Sequence, residues 1–195
     1  MPSGESRIEH WLRCPKKTCC SHYLVYVTGD DVARIARTLA VPPWSFTTAL
    51  PSEPDEIGAF ALDASQARHR LALVRTTFAP EEQPGCTFLV RASDAAARCG
   101  LGAGRPAPCR SFPSQLVDEA LGFETSGCSC DWSDVEPGAA DIELLRAEGA
   151  ARTVYASVVA TWNDYVRTLA PDPALALRDF CRYLMDAYAP SEALR

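Results

Sequence analysis

The sequence predicts an α+β fold in which a small, irregular, cysteine-rich α/β portion precedes a helical C-terminal portion. Three observations carry this. Short strand-like runs alternate with turn residues through the first two thirds of the chain. Eight of the nine cysteines fall in loop-like segments there. From Asp141 onward, apolar residues recur at helical spacing instead.

Taken in order, the first cysteine group, Cys14-Pro-Lys-Lys-Thr-Cys19-Cys20, reads as a loop leading into a short strand, Tyr23–Val27. Thr28 then opens a helix, with Asp31 placed as its capping-box partner. Val32, Ile35, Ala36 and Leu39 give that helix one apolar face, and Pro42-Pro43 end it. Residues 44–55 read as a loop. Ala59–Asp63 and Leu71–Thr77 are strand candidates, residues 80–85 a turn, and Cys86–Val90 a further strand. Residues 99–114 are too rich in Gly and Pro for a long helix or a central strand, and form a loop carrying Cys99 and Cys109. Phe123–Thr125 is a last short strand before Cys128 and Cys130.

Tyr155, Val158, Val159, Trp162, Tyr165, Val166 and Leu169 mark a helical stretch over 141–169, with Gly149 a candidate break. Pro171 and Pro173 separate a final helix bearing Leu177, Phe180, Cys181, Leu184, Met185 and Tyr188 on one face. The expected organisation is a cysteine-rich domain over 7–135 and a helical extension over 136–195 packed on it.

The chain has 195 residues. That length buries roughly 70% of the unfolded surface, so a core forms without covalent staples. Nineteen basic residues stand against 25 acidic ones, for a net charge of −6. No basic run exceeds Lys16-Lys17, which argues against nucleic acid and anionic membrane surfaces as partners. The N-terminal stretch lacks the apolar core of a secretory signal, and no uninterrupted apolar run approaches roughly 18 residues. The expectation is a soluble, cytoplasmic protein, where thiols stay reduced. Clustered cysteines in that setting read as metal ligands or redox groups.

Cys14, Cys19, Cys20, Cys86, Cys99, Cys109, Cys128 and Cys130 are the candidate metal ligands. Loop backbone can converge distant thiolates on one point, and thiolates select zinc or iron–sulfur clusters over hard ions. A 4Fe-4S cluster is preferred to zinc, because zinc sites usually come as paired C-x2-C knuckles and this chain has none. The bland alternative for these cysteines is a set of buried apolar thiols or disulfides. Cys181, on the apolar face of the last helix, reads as core packing.

Arg105 and Arg110 flank Cys109. They either favour its thiolate and offset the charge of a thiolate-bound centre, or pair with surface acids. His22, two residues past Cys20, is either a ligand or proton carrier or a solvated loop residue. His10 and His69 carry less weight. Gly100, Gly102 and Gly104 do not sit between a strand and a helix, so they do not make a nucleotide-binding turn. No Ser/His/Asp nucleophile arrangement is visible.

The run from Cys99 to Pro113, with Arg105-Pro106 and Cys109-Arg110-Ser111-Phe112-Pro113, resembles the signature of the YkgJ-type cysteine-cluster (CxxCxxCC) family of zinc- or iron-chelating proteins. Gly85-Cys86-Thr87-Phe88-Leu89 is similar to that family's G-x-C-x-F-L strand, and Cys19-Cys20 to its vicinal pair. The first block here has one cysteine fewer than the family pattern, and Cys128 or Cys130 could supply that ligand. Gly102 stands where the family has an aromatic residue. The resemblance implies a metal centre without a settled reaction. Some relatives are linked to flagellin lysine-N-methylation, and residues 85–130 are similar to that methylase type as well.

Three functional expectations follow. The first is a 4Fe-4S metalloprotein with a redox role or one modifying a peptide, protein or small molecule. The second is a structural zinc or metal-carrier protein without catalysis. The third is an N-methyltransferase-like protein using S-adenosylmethionine, although no separate domain for that cofactor stands out.

Overall fold

The computed structural model describes residues 7–14, 19–77, 84–93, 96–117, 120–124, 130–171 and 173–190. The fold is α+β, with helices filling the C-terminal portion. The chain forms two compact units, the first from Met1–Val25 and Arg75–Glu148, the second from Tyr26–Val74 and Gly149–Arg195.

Unit one begins with helix α1 (Arg7–Arg13) and the single turn α2 (Cys19–His22). Unit two then supplies α3 (Gly29–Leu39) and strands β1 (Thr47–Pro51), β2 (Phe60–Ala61) and β3 (Arg68–Leu73). The chain returns to unit one for β4 (Arg75–Thr76), β5 (Gly85–Cys86), β6 (Leu89–Ser93), β7 (Ala96–Cys99), the short helix α4 (Ala107–Ser111), β8 (Ser114–Val117) and β9 (Ala120–Phe123). Helix α5 (Ala139–Arg167) starts in unit one and finishes in unit two, where α6 (Leu177–Ala187) follows.

This division differs from the expected 7–135 and 136–195. The apolar face of the C-terminal helices is satisfied by residues 59–61. Phe60 stacks on Phe180 with ring centroids 3.9 Å apart, and the indole N–H of Trp162 donates to the Ala61 carbonyl at 2.8 Å. Burying a side chain of this size contributes about 1.5–3 kcal/mol.

In unit two the helix start at Thr28 forms as its sequence dictates. The Asp31 N–H donates to Thr28 Oγ1, and the Thr28 N–H donates to Asp31 Oδ2, both at 3.5 Å. Val32, Ile35 and Ala36 are buried, and Ala40 ends the helix in the left-handed conformation at φ 53°. The sheet order is β1-β3-β2, all antiparallel. Asn163 ties the outer strand β2 to α5. Its Oδ1 accepts from the Ala61 N–H at 2.8 Å, and its Nδ2 donates to the Ala59 carbonyl at 3.0 Å. A sheet edge that would need water is thereby closed by a helix side chain. Gly58 adopts φ +78°, and a Cβ there would meet the Tyr155 ring at 2.8 Å, so only glycine fits.

Several local expectations change. Tyr23–Val27 makes a single bridge, Tyr26 with Ala72, rather than a strand. The segment read as a loop holds β1, an outer strand whose Pro51 sits at its end, where a missing N–H is tolerated. Helix α5 runs unbroken through Gly149. One glycine costs about 1 kcal/mol against alanine, and the Ala- and Leu-rich turns around it offset that. The last helix, by contrast, forms as its periodicity predicts, with Phe180, Cys181 and Leu184 fully buried.

Among the described residues, unit one contains three antiparallel strand pairs, β4–β5, β6–β7 and β8–β9, with a small core of Trp11, Trp132 and Val135. Among the described residues, no helix is long and apolar enough to cross a membrane.

Candidate metal centre

Five of the predicted ligands, Cys19, Cys20, Cys86, Cys99 and Cys109, lie in unit one as half-buried thiols outside any disulfide. They come from four elements, and local contacts explain why these elements meet. Cys19 and Cys20 form the first two positions of α2, with their sulfurs 4.0 Å apart. The expected loop at Cys19–Cys20 is thus one helical turn.

Arg75 fastens that turn to the hairpin that carries Cys86. Its guanidinium donates to the carbonyls of Ser21, His22 and Pro84, the His22 contact being 3.2 Å long. It thus satisfies carbonyls that a helix C-terminus leaves unpaired. On the other side, the rings of Tyr23 and Phe112 approach to 5.2 Å, which brings the ends of α2 and α4 together and with them Cys109. The Phe112–Pro113 peptide is cis. Helix α4 is further held by Ser111, whose hydroxyl donates to Glu148 Oε2 at 2.6 Å.

Cys99 ends β7, opposite Leu89 of β6. The Gly100 N–H donates to the Phe88 carbonyl at 2.7 Å, and a Cβ on Gly100 would crowd that oxygen at 3.3 Å. The close approach keeps Cys99 near the strand segment that follows Cys86.

The electrostatics register the grouping. The Cys20 thiol is pushed well up, first by its hydrogen bond with Cys19, then by burial and by the nearby sulfurs of Cys19, Cys109 and Cys86. Burial also raises Cys86, which feels Cys99 as well, while the Phe88 backbone and the Arg75 charge pull the other way. Burial raises Cys99 too, offset by backbone donation from Leu101 and by the Arg105 charge. Thiols that disfavour ionisation together are groups that an added cation would relieve.

The remaining predicted residues are placed as follows. Cys14 and Cys130, expected among the ligands, are joined as a disulfide, with Cα atoms 5.9 Å apart, a separation that suits such a bond. In that state neither sulfur is a thiolate donor. Cys128 lies outside the described residues. Arg105 acts on Cys99 and stacks over the Trp11 ring at 4.2 Å. Arg110 keeps a buried Nε with no hydrogen-bond partner. His22 is exposed at the end of α2. Cys181 is fully buried 3.6 Å from Thr47 Oγ1 in unit two, as core packing requires.

Arg75, Tyr23, Ser111 and Glu148 were not singled out from the sequence. They act through backbone carbonyls, ring edges and a single hydroxyl, and none of these leaves a motif.

Among the described residues, no group of three or more Cys, His, Asp and Glu is already arranged to hold a metal ion. Five thiol sulfurs are donors of the kind a thiophilic metal prefers. Neither a family model, nor a curated protein, nor a solved structure matches the chain.

Proposed function

We propose that unit one is a thiolate metal-binding domain, with Cys19, Cys20, Cys86, Cys99 and Cys109 as its donors and an iron–sulfur cluster as its preferred occupant. The observation that carries this reading is that five half-buried thiols outside any disulfide come from α2, β5, β7 and α4 of one unit, with the Cys19 and Cys20 sulfurs 4.0 Å apart. The Cys99–Pro113 and Gly85–Leu89 segments, which resemble the YkgJ-type family, support it as well. An occupant of this kind supplies electron transfer, or a metal site open to an incoming group.

The chain's own residues would do the rest. Arg75 holds α2 and Cys86 in register, Arg105 offsets the charge of a thiolate at Cys99, and Ser111 with Glu148 steadies the helix bearing Cys109. A centre of this type in a redox role, or one modifying a peptide, protein or small molecule, is the activity we assign.

A zinc site is the second reading, favoured by one observation. The 4.0 Å between the Cys19 and Cys20 sulfurs is close to the edge of a tetrahedral ZnS4 site, which is about 3.8 Å for Zn–S bonds of about 2.3 Å.

Anaerobic purification with iron, acid-labile sulfide and zinc analysis tests both. Brown protein with iron and sulfide in equal amounts supports the first reading. Colourless protein with stoichiometric zinc moves the assignment to the second. Protein with neither metal removes the metal centre altogether.

A further inference from the structure

We propose that Cys14 and Cys130 form a second, redox-active site in unit one, a dithiol/disulfide couple whose reaction partner is a low-molecular-weight thiol or its disulfide. The two residues are 116 positions apart, yet their Cα atoms are 5.9 Å apart. Both residues are half-buried and neither is sealed in the core, which is the exposure that attack by a small thiolate requires. Cys14 directly follows α1, with its N–H donating to the His10 carbonyl at 3.1 Å. Cys130 packs against the Trp11, Trp132 and Val135 core, and so does Cys99. The couple therefore shares its packing with one sulfur of the five-thiol group.

The chemistry is thiol–disulfide exchange. A small thiolate attacks one sulfur of the Cys14–Cys130 bond and forms a mixed disulfide, releasing the other sulfur as a thiolate. A second small thiol then displaces the first residue. One S–S bond breaks in the protein and one forms between the two small thiols. Two electrons pass to the protein, and two protons end on Cys14 and Cys130.

The consequence rests on the metal reading above. In the oxidised couple, Cys14 and Cys130 are withheld from the centre. Reduction frees two thiols, of which Cys130 packs against the same core as Cys99, while the five proposed donors stay as they are.

The test uses the full chain equilibrated anaerobically in graded mixtures of reduced and oxidised glutathione, followed by alkylation and peptide mapping of every cysteine. The expected result is one two-electron transition in which Cys14 and Cys130 lose alkylation together and appear as a cross-linked peptide. A Cys14→Ser/Cys130→Ser variant should lose that transition and keep its full metal content. The proposal is overturned if the two sulfurs alkylate independently at every ratio, or pair with other cysteines. Loss of metal in the double variant also overturns it, because the pair would then belong to the ligand set. Should the variant not fold, the titration of the unaltered chain decides alone. A clean transition in protein that binds no metal supports the couple while sinking the metal reading.

Discussion

The hydroxyl of Ser111 donates to Oε2 of Glu148 across 2.6 Å, and both residues are buried. Ser111 lies two positions after Cys109 on α4, and Glu148 is on the part of α5 that belongs to unit one. Ser111→Ala leaves the carboxyl group without this donor, at a cost of about 1–3 kcal/mol. The expected outcome is a lower urea midpoint and a lower metal content after reconstitution. Unchanged values in both measurements would separate α4 from the site.

Arg75 makes a second prediction. Arg75→Ala removes the donors shared by the Ser21, His22 and Pro84 carbonyls. Metal occupancy should fall severalfold while the far-ultraviolet circular dichroism stays close to that of the parent. Arg75→Lys should recover little, since an ammonium group cannot span several carbonyls as a planar guanidinium does. Full occupancy in Arg75→Ala would show that α2 is held by other means.

The cysteines set a pH dependence with a definite sign. The folded-state values of Cys20, Cys86 and Cys99 lie above the ordinary thiol value of 9.0. Their contribution is therefore complete below the unfolded range, about 8.5–9, and is lost as pH rises through the raised values. Chelator-treated protein should lose stability steadily above about pH 9. Metal uptake runs the other way, because ligation needs thiolates, so affinity weakens as pH falls. Chemical unfolding of the metal-free chain across that range checks the first statement, and a flat profile contradicts it. Competition titration of zinc at successive pH values checks the second.

Unit two offers a test independent of metal. Asn163→Ala strips the Ala61 N–H and the Ala59 carbonyl of their partners, at a cost of about 2–4 kcal/mol. Tyr155→Phe should carry no such cost. The Tyr155 hydroxyl is buried with no hydrogen-bond partner, and burial raises its pKa. Removing an unsatisfied hydroxyl is neutral, or stabilising by about 1 kcal/mol. The thermal midpoint should fall in Asn163→Ala and stay level or rise in Tyr155→Phe, and a downward shift in Tyr155→Phe would refute the Tyr155 assignment.

The elements legible in the sequence are those whose signals are local. Thr28 with Asp31 marked a helix start, and the spacing of Phe180, Cys181 and Leu184 marked a buried face. Strand β1 was hidden because its pairing with β3 depends on residues about twenty positions away, while Pro51 and Pro54 read as breakers. Within the candidate site, residue type identified the cysteines. The partition of the described ones into five thiols and one disulfide was not legible, because cysteine connectivity does not follow from spacing.

Unit one is interrupted in sequence by residues 26–74. On the ribosome, Cys14, Cys19 and Cys20 therefore emerge well before Cys86. At roughly 5–20 residues per second, that gap takes about 3–13 s to synthesise. For that interval the nascent chain offers early thiols with no late ones to meet. Loading of any metal must wait until Cys109, the last of the five proposed donors, has been made, and premature oxidation of the first three cysteines is the hazard the chain faces in the meantime.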